Sequence, residues 1–412
     1  MKCIVDNDVV LARPLEGPLS AQIAGFSRWA RGEGYTFLSR RRKVLLTACF
    51  SRWLGQQAVS VRCVSSEHPS RYLRSRARHV KAQRDDAATL QQFLNFLRRR
   101  GVVPVEKIPP PRLTPAEQAV NEFERYLRNE RTLAEATVVN YVPFVCKFLV
   151  DRFGDGPVRL SRLCAGDVVR FVQRQVPRLH LNRAKLLTTA LRSFLHYVRY
   201  RGQVTCDLAA AVPTAASWSR PSIPRAISAD AVRRLLASVN RRTAMGRRDY
   251  AILLLLARLG LRAGEIVRLE LEDIDWNVGS LRVHGKRDQH TDLPLPADVG
   301  AAITAYLRHG RPRSSSRHVF LRTTAPICGF RDHRAIAALV QRSLARASIE
   351  APTQGAHQFR HALATEMLHH GASLAEIGEV LRHRRPQTTK IYTKVDLDSL
   401  RILALPWPGG VR

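Results

Sequence analysis

The stretch His357-Gln358-Phe359-Arg360-His361-Ala362-Leu363-Ala364-Thr365 decides how this chain reads. It is followed by Leu381-Arg382-His383 and, nine positions after His383, by Tyr392 within Ile391-Tyr392-Thr393. Far upstream, Gly260-Leu261-Arg262 adds a second arginine. Arg360 lies one helical turn after His357, so the two share a face. Two guanidiniums can fork onto the non-bridging oxygens of one phosphate and stabilise charge as it builds in a pentacoordinate transition state. Histidines take or give a proton near neutral pH. A tyrosine can attack phosphorus and hold the bond as a phosphotyrosyl ester. The set meets the needs of in-line attack on a DNA phosphodiester, and so points to an enzyme that cuts and rejoins DNA.

Composition agrees with a polyanionic partner. Over 412 residues, 67 Lys and Arg face 34 Asp and Glu, for a net charge of +33 and a pI near 11.2. Such a field attracts nucleic acid and makes binding salt-dependent, because each neutralised phosphate releases counterions. With 45% hydrophobic and 25% charged residues the chain is globular, which argues against a basic tail. Its length allows two to four domains. No run is long enough for a membrane span, and MKCIVDNDVV has acidic residues where a signal peptide carries its apolar core, so a cytoplasmic protein is expected. The seven cysteines form no close pairs and no metal-ligand spacing, which reads as reduced thiols. His361, His369 and His370 lack carboxylate or thiolate partners at ligand spacing and read as surface residues. With no carboxylate cluster and no phosphate loop, neither metal nor nucleotide cofactor is expected.

From Leu113 to Gly202, apolar residues at three- and four-residue spacing predict four helices, in FERYLRNE, VVNYVPFVCKFLVDRFG, AGDVVRFVQRQV and LLTTALRSFLHYVRYRG. Pro213, Pro221 and Pro224 then mark a linker. Ser228 is a candidate N-cap for ADAVRRLLASVN, with Asp230 in the first turn. RRDYAILLLLARLG reads as a buried helix that stops at Gly260, and SLRVHG and TDLPLP as strands of a hairpin around KRDQH. Helices return in HRAIAALVQRSLARA, in HQFRHALATEMLHHG with Gly371 as its cap, and in SLAEIGEVLRH.

The first hundred residues parallel the bundle that follows. Phe26-x-Arg28-Trp29 matches Phe123-x-Arg125-Tyr126, SRYLRSR matches VRFVQRQ, and TLQQFLNFLRRRGVV matches ALRSFLHYVRYRGQV with Gly101 against Gly202. Pro109, Pro110 and Pro111 stand between the copies as a stiff linker. A first copy that kept the second's basic face would add phosphate contacts outside the core site.

Lys286 at the hairpin tip is the only lysine between Lys185 and Lys390. An ammonium can surrender a proton to a departing 5′-oxygen where a guanidinium hardly can.

GLRAGEIVRLELEDID, HGKRDQHTDLPL, HQFRHALATEMLHHGASLAEIGEVLRH and TTKIYTKV resemble, in order and spacing, the tyrosine recombinase (phage-integrase-like) family. The resemblance covers about residues 227 to 395, and more weakly the bundle before them. It implies a mainly α chain in which helical, SAM-like DNA-binding bundles precede a mixed α+β catalytic domain with a small sheet. The expected divisions are an extra helical domain at 1–108, a core-binding domain at 112–205, a linker at 206–226, a catalytic domain at 227–396 and a tail at 397–412. The implied catalytic set is Arg262, Lys286, His357, Arg360, His383 and Tyr392. Within it His357 helps deprotonate Tyr392, His383 donates to the phosphate, and Glu265 and Glu366 partner the arginines. Arg287, Gln289 and Thr291 depart from the family's hairpin pattern, and Arg382 stands where glycine is usual, which implies a changed turn.

The resemblance further implies site-specific cleavage and rejoining of double-stranded DNA through a 3′-phosphotyrosyl intermediate, by a homo- or hetero-tetramer acting alone or with sister recombinases. A mobile element is the expected setting. Xer-type chromosome resolvases are shorter, and type IB topoisomerases fit the HQFRHALAT and LRHRRPQTTKIY forms less well. A non-catalytic DNA-binding regulator on the same fold is the alternative of a different class, and the complete catalytic set argues against it.

Overall fold

The computed structural model describes residues 3–6, 9–105, 113–214, 226–285, 290–351, 353–383 and 385–394. Lys286, the run Pro109 to Pro111, Pro221, Pro224 and the tail beyond residue 394 lie outside them. The chain divides into two compact units, Met1–Lys107 with Ser222–Arg412, and Ile108–Pro221.

The first unit opens with an antiparallel pair that the sequence reading did not anticipate, β1 (Cys3–Asp6) and β2 (Val9–Leu11). Four helices follow: α1 (Ser20–Gly32), α2 (Phe37–Gln56), α3 (Glu67–Arg76) and α4 (Asp86–Arg99). On α4, Leu90, Phe93, Leu94 and Leu97 recur at three- and four-residue spacing and are fully buried against Phe26, Val44, Phe50 and Leu54. Each such side chain stabilises the fold by about 1.5–3 kcal/mol.

The second unit repeats the plan with α5 (Pro115–Arg125), α6 (Glu135–Phe153), α7 (Ala165–Gln175) and α8 (Leu181–Tyr200). Pro115 opens α5 behind a reciprocal cap in which Thr114 N donates to Glu117 at 2.8 Å and Glu117 N donates to Thr114 Oγ1 at 3.2 Å. Phe123, Phe148, Phe171 and Phe194 fill its core, which continues to Val212. Matched aromatics hold matched places in the two bundles. Phe26 and Phe93 ring centroids lie 4.9 Å apart, against 5.3 Å for Phe123 and Phe194. Phe50 and Tyr72 lie 5.4 Å apart, against 5.2 Å for Phe148 and Phe171. Gly101 (φ +67°) and Gly202 (φ +70°) end the fourth helices in the same left-handed turn.

In the remainder of the first unit, the hydroxyl of Ser228 accepts from Ala231 N at 3.2 Å to start α9 (Ala229–Ala237). Helix α10 (Ala244–Arg258) buries Ala251 to Leu256 without a break and is the centre of the largest core. After it come α11 (Ala263–Arg268) and an antiparallel sheet of β3 (Ile274–Asp275), β4 (Ser280–His284) and β5 (His290–Pro294), with His284 opposite His290 at the hairpin end. Then follow α12 (Ala297–His309), α13 (Arg334–Arg346), α14 (His357–His369), α15 (Leu374–Val380) and the short α16 (Pro386–Thr389). A separate small cluster of Ala364, Ile377, Leu381 and Tyr392 forms on the far face of α14. The amino-terminal bundle touches this region through the turn at Glu33 and Gly34. Ile327 N donates to Glu33 O at 2.9 Å, and Gly34 (φ +82°) lies so close that a Cβ would stand 2.4 Å from Ile327 Cγ1.

Candidate active site

The end of α10 places the first arginine. Gly260 turns the chain at φ +55°, and a Cβ there would come within 3.0 Å of Leu381 and 3.1 Å of Leu363, so this close approach suits glycine. Arg262 then stands at the N-cap of α11, where Glu265 answers it twice. Arg262 N donates to Glu265 Oε2 at 2.8 Å, and Arg262 Nη1 to Glu265 Oε1 at 2.7 Å. Glu265 is buried and takes a third bond, from Arg382 Nη2 at 3.0 Å. Burial pushes the Glu265 carboxyl up, but Arg382 and Arg262 outweigh it and hold its pKa below the usual carboxylate value. One carboxylate therefore fixes two guanidiniums.

Arg382 keeps the turn that glycine would make. Its φ is +53°, its side chain is only 10% exposed, and its carbonyl accepts from Arg262 Nη2 at 3.4 Å. The changed turn expected from the missing glycine is thus corrected: the left-handed backbone is retained at a cost of about 1–3 kcal/mol, and the ion pair with Glu265 offsets it.

Arg360 is 1% exposed on the first turn of α14 and donates through Nη1 to Gly260 O at 2.7 Å. Its Nε and Nη2 are buried with no hydrogen-bond partner among the described residues. A buried guanidinium holding donors in reserve is expected to receive an anion. Burial first, then Arg262 and Arg382, lower its pKa to about 9, still protonated at neutral pH.

Tyr392 is 1% exposed, and its hydroxyl meets His361 Nδ1 at 2.9 Å. Burial raises the phenol to about 12, with Arg360 pulling the other way. The reading of His361 as a surface residue is thereby corrected: its face of α14 is covered by the strand of chain that carries Tyr392. His357, expected to help deprotonate Tyr392, lies one turn earlier with its ring 4.6 Å from that of His361, and it is His361 that meets the Tyr392 oxygen. His357 keeps an open side to solvent, while the protein around the rest of its ring, with Arg360 and Arg262, lowers its pKa. His383 bonds Thr389 Oγ1 at 2.9 Å through Nδ1 and stacks over Tyr392 with centroids 6.5 Å apart. Burial, with neighbouring positive charge, brings His361 and His383 each to about 4, so both imidazoles are neutral at physiological pH. Glu366 is exposed and touches the helix end through its carbonyl and His370, so its expected partnership with the arginines is not seen among the described residues. The structure thus gathers Arg262, His357, Arg360, His383 and Tyr392 in one place, with Glu265, His361 and Arg382 added. No cluster of metal-binding side chains occurs among the described residues.

Residues 225–398 match the phage integrase family. Along almost its full length the chain is similar to the putative integrase/recombinase y4rA of Sinorhizobium fredii (strain NBRC 101917 / NGR234), 53% identical over 409 residues and covering 99% of both chains. The chain belongs to the phage integrase family of tyrosine recombinases. Members of that family cleave and rejoin DNA. The tyrosine recombinase XerC of Azotobacter vinelandii is 30% identical over 286 residues, 68% of this recombinase and 92% of that protein. In fold, this recombinase resembles XerH bound to palindromic difH in a post-cleavage complex (TM-score 0.56, 17% identity, 82% and 95% covered). It also resembles a lambda integrase tetramer bound to a Holliday junction (TM-score 0.52, 15% identity, 76% and 88% covered). No helix among the described residues is long and apolar enough to cross a membrane.

Proposed function

We propose that this recombinase acts at specific sites in double-stranded DNA, with Tyr392 as nucleophile, in the cytoplasm and in the service of a mobile element. The observation that carries the reading is Tyr392 Oη on His361, within charge reach of Arg360, whose Nε and Nη2 stand buried without a partner. A scissile phosphate supplies the missing acceptors. Arg360 and Arg262 grip its non-bridging oxygens, and Glu265 keeps Arg262 and Arg382 from rotating away. As Tyr392 Oη bonds to phosphorus, its proton passes to His361 Nδ1, with His357 beside it. The bond from phosphorus to the 5′-oxygen breaks, and that oxygen takes a proton from the Lys286 ammonium, leaving a 3′-phosphotyrosyl link and a free 5′-hydroxyl. Attack by another strand's 5′-hydroxyl reverses each step and rejoins the DNA. No metal or nucleotide enters this scheme.

The lambda integrase tetramer on a Holliday junction supports a four-protomer assembly for strand exchange, with or without sister recombinases. The test is direct. Full-length protein mixed with a nicked duplex carrying the repeats that flank its gene gives a slow band on a denaturing gel, and Tyr392→Phe gives none while still binding DNA. An adduct that persists in that variant moves the nucleophile elsewhere.

A further inference from the structure

The structure assigns a second DNA-binding site, of new composition, to the groove between α1 and α4 of the amino-terminal bundle. The assignment rests on the proposal that this chain acts on DNA. Helices α1–α4 retrace α5–α8 in order, with aromatic pairs and closing glycines at matching places. The two bundles read as copies of one design. They part company in the groove between the first and fourth helices.

In the later copy that groove is closed and neutralised. Tyr126 packs on Tyr197 at 4.8 Å and on Tyr200 at 6.2 Å. Arg201 lies over Tyr197 and Tyr200 and ion-pairs with Glu130. In the first copy Arg99 occupies the place of Tyr200, and Gly25 that of Glu122. A Cβ on Gly25 would stand 3.1 Å from Arg100 Nη1 and 3.4 Å from Phe96 Cζ, so the glycine is what leaves room. The result is an open groove of about 410 Å³ whose lining includes Arg28, Trp29, Phe96, Arg99 and Arg100. Arg28, Arg99 and Arg100 are exposed, and Arg100 lies over the Phe96 ring at 4.9 Å. Glu33, at the place of Glu130, forms no ion pair with Arg100 among the described residues, and its backbone carbonyl accepts from Ile327 N.

Three forked guanidiniums with no carboxylate among the lining residues match phosphate oxygens, and the half-buried ring of Trp29 matches the apolar side of a deoxyribose. Over residues 1–107, 20 Lys and Arg face 8 Asp and Glu, so the whole bundle draws the same polyanion. The occupant is the sugar–phosphate backbone of duplex DNA flanking the site of cleavage, gripped without regard to base sequence.

The experiment compares full-length wild type with Arg28→Ala/Arg99→Ala/Arg100→Ala on fluorescein-labelled mixed-sequence duplexes, one long and one trimmed. Anisotropy is followed across a salt series. On the long duplex the variant binds more weakly, and its log–log salt slope is shallower by about 0.9 per lost contact, up to about 2.7 in all. On the trimmed duplex the two proteins bind alike, and both form the Tyr392 adduct at one rate on nicked DNA. Arg28→Glu/Arg99→Glu, with melting followed by circular dichroism, guards against a folding defect by giving a larger loss at unchanged melting temperature. Equal slopes on the long duplex overturn the inference, and so does an equal slope accompanied by lost pairing of DNA sites, which makes the groove a protein-docking surface. Absence of an adduct in wild type would sink the recombinase reading alone, since the slope still decides the groove.

Discussion

Tyr392 and His361, 31 residues apart in the chain, share a hydrogen bond of 2.9 Å between the phenol oxygen and Nδ1. With its pKa lowered to about 4, that imidazole is a neutral acceptor, and Tyr392, raised to about 12, needs one. His361→Gln keeps a polar side chain of similar reach but cannot take the proton. Single-turnover cleavage of nicked DNA should slow by about 10²–10⁴-fold with DNA affinity unchanged. A purely structural role for His361 would instead lower the melting temperature and leave the rate on folded protein intact.

Lys286→Ala should lose cleavage of ordinary DNA and recover it on a substrate whose 5′-bridging oxygen is sulfur. A thiolate departs without protonation, so the acid becomes dispensable. Failure of sulfur to rescue would make Lys286 a binding residue.

Glu265→Gln should cost about 1.5–3 kcal/mol in chemical denaturation, because hydrogen bonds to charged groups have roughly that strength. It should also slow cleavage by releasing Arg262 and Arg382. The pKa of Glu265 is depressed in the folded state, so its stabilisation is present above the usual carboxylate pKa and is lost as pH falls through the lower folded value. Wild type should therefore lose more stability than the variant on acidification below about pH 4.5. Parallel losses would show that the carboxylate does not bind its arginines more tightly than water does.

His361 and His383 bind protons in the unfolded chain near pH 6.5 but in the folded protein only near 4. Between those values the unfolded state holds more protons, so stability rises with pH through that window. Histidine proton resonances of the DNA-free protein should show both rings neutral at pH 6, and the urea midpoint should fall from pH 6.5 to 5. Ordinary titration of either ring near 6.5 would contradict the packing described for it.

Truncation after Asp396 should spare binding to one site and abolish pairing of two. If the tail is helical, Leu397, Leu400, Leu403 and Leu405 would form an apolar stripe suited to docking on a neighbouring protomer. Unchanged pairing would mean that the stripe folds on its own domain.

Much of this was legible because helical periodicity and short motif spacing are local. The four helices between Leu113 and Gly202, the buried run in α10 and the cap at Ser228 all depend on neighbours within a few residues. His361 was misread because its role comes from a segment that folds back over α14, which no local pattern announces. A clue did exist: His357 and His361 are four apart, and so lie on one helix face. Arg382 was misjudged for a similar reason. The strain of its left-handed backbone is visible in sequence, but the buried carboxylate that offsets it sits 117 residues away. The β1–β2 pair is too short for alternation to stand out.

The small cluster of Ala364, Ile377 and Leu381 encloses the ring of Tyr392. A cell is crowded with phosphate esters, and a tyrosine acting as the proposed nucleophile would nick at random if it faced them all the time. With the ring only 1% exposed, a chance collision finds its oxygen covered. Each increment of about 1.4 kcal/mol by which the covered state is favoured makes such an encounter ten times less frequent, so three aliphatic side chains bear on how often the phenol is presented.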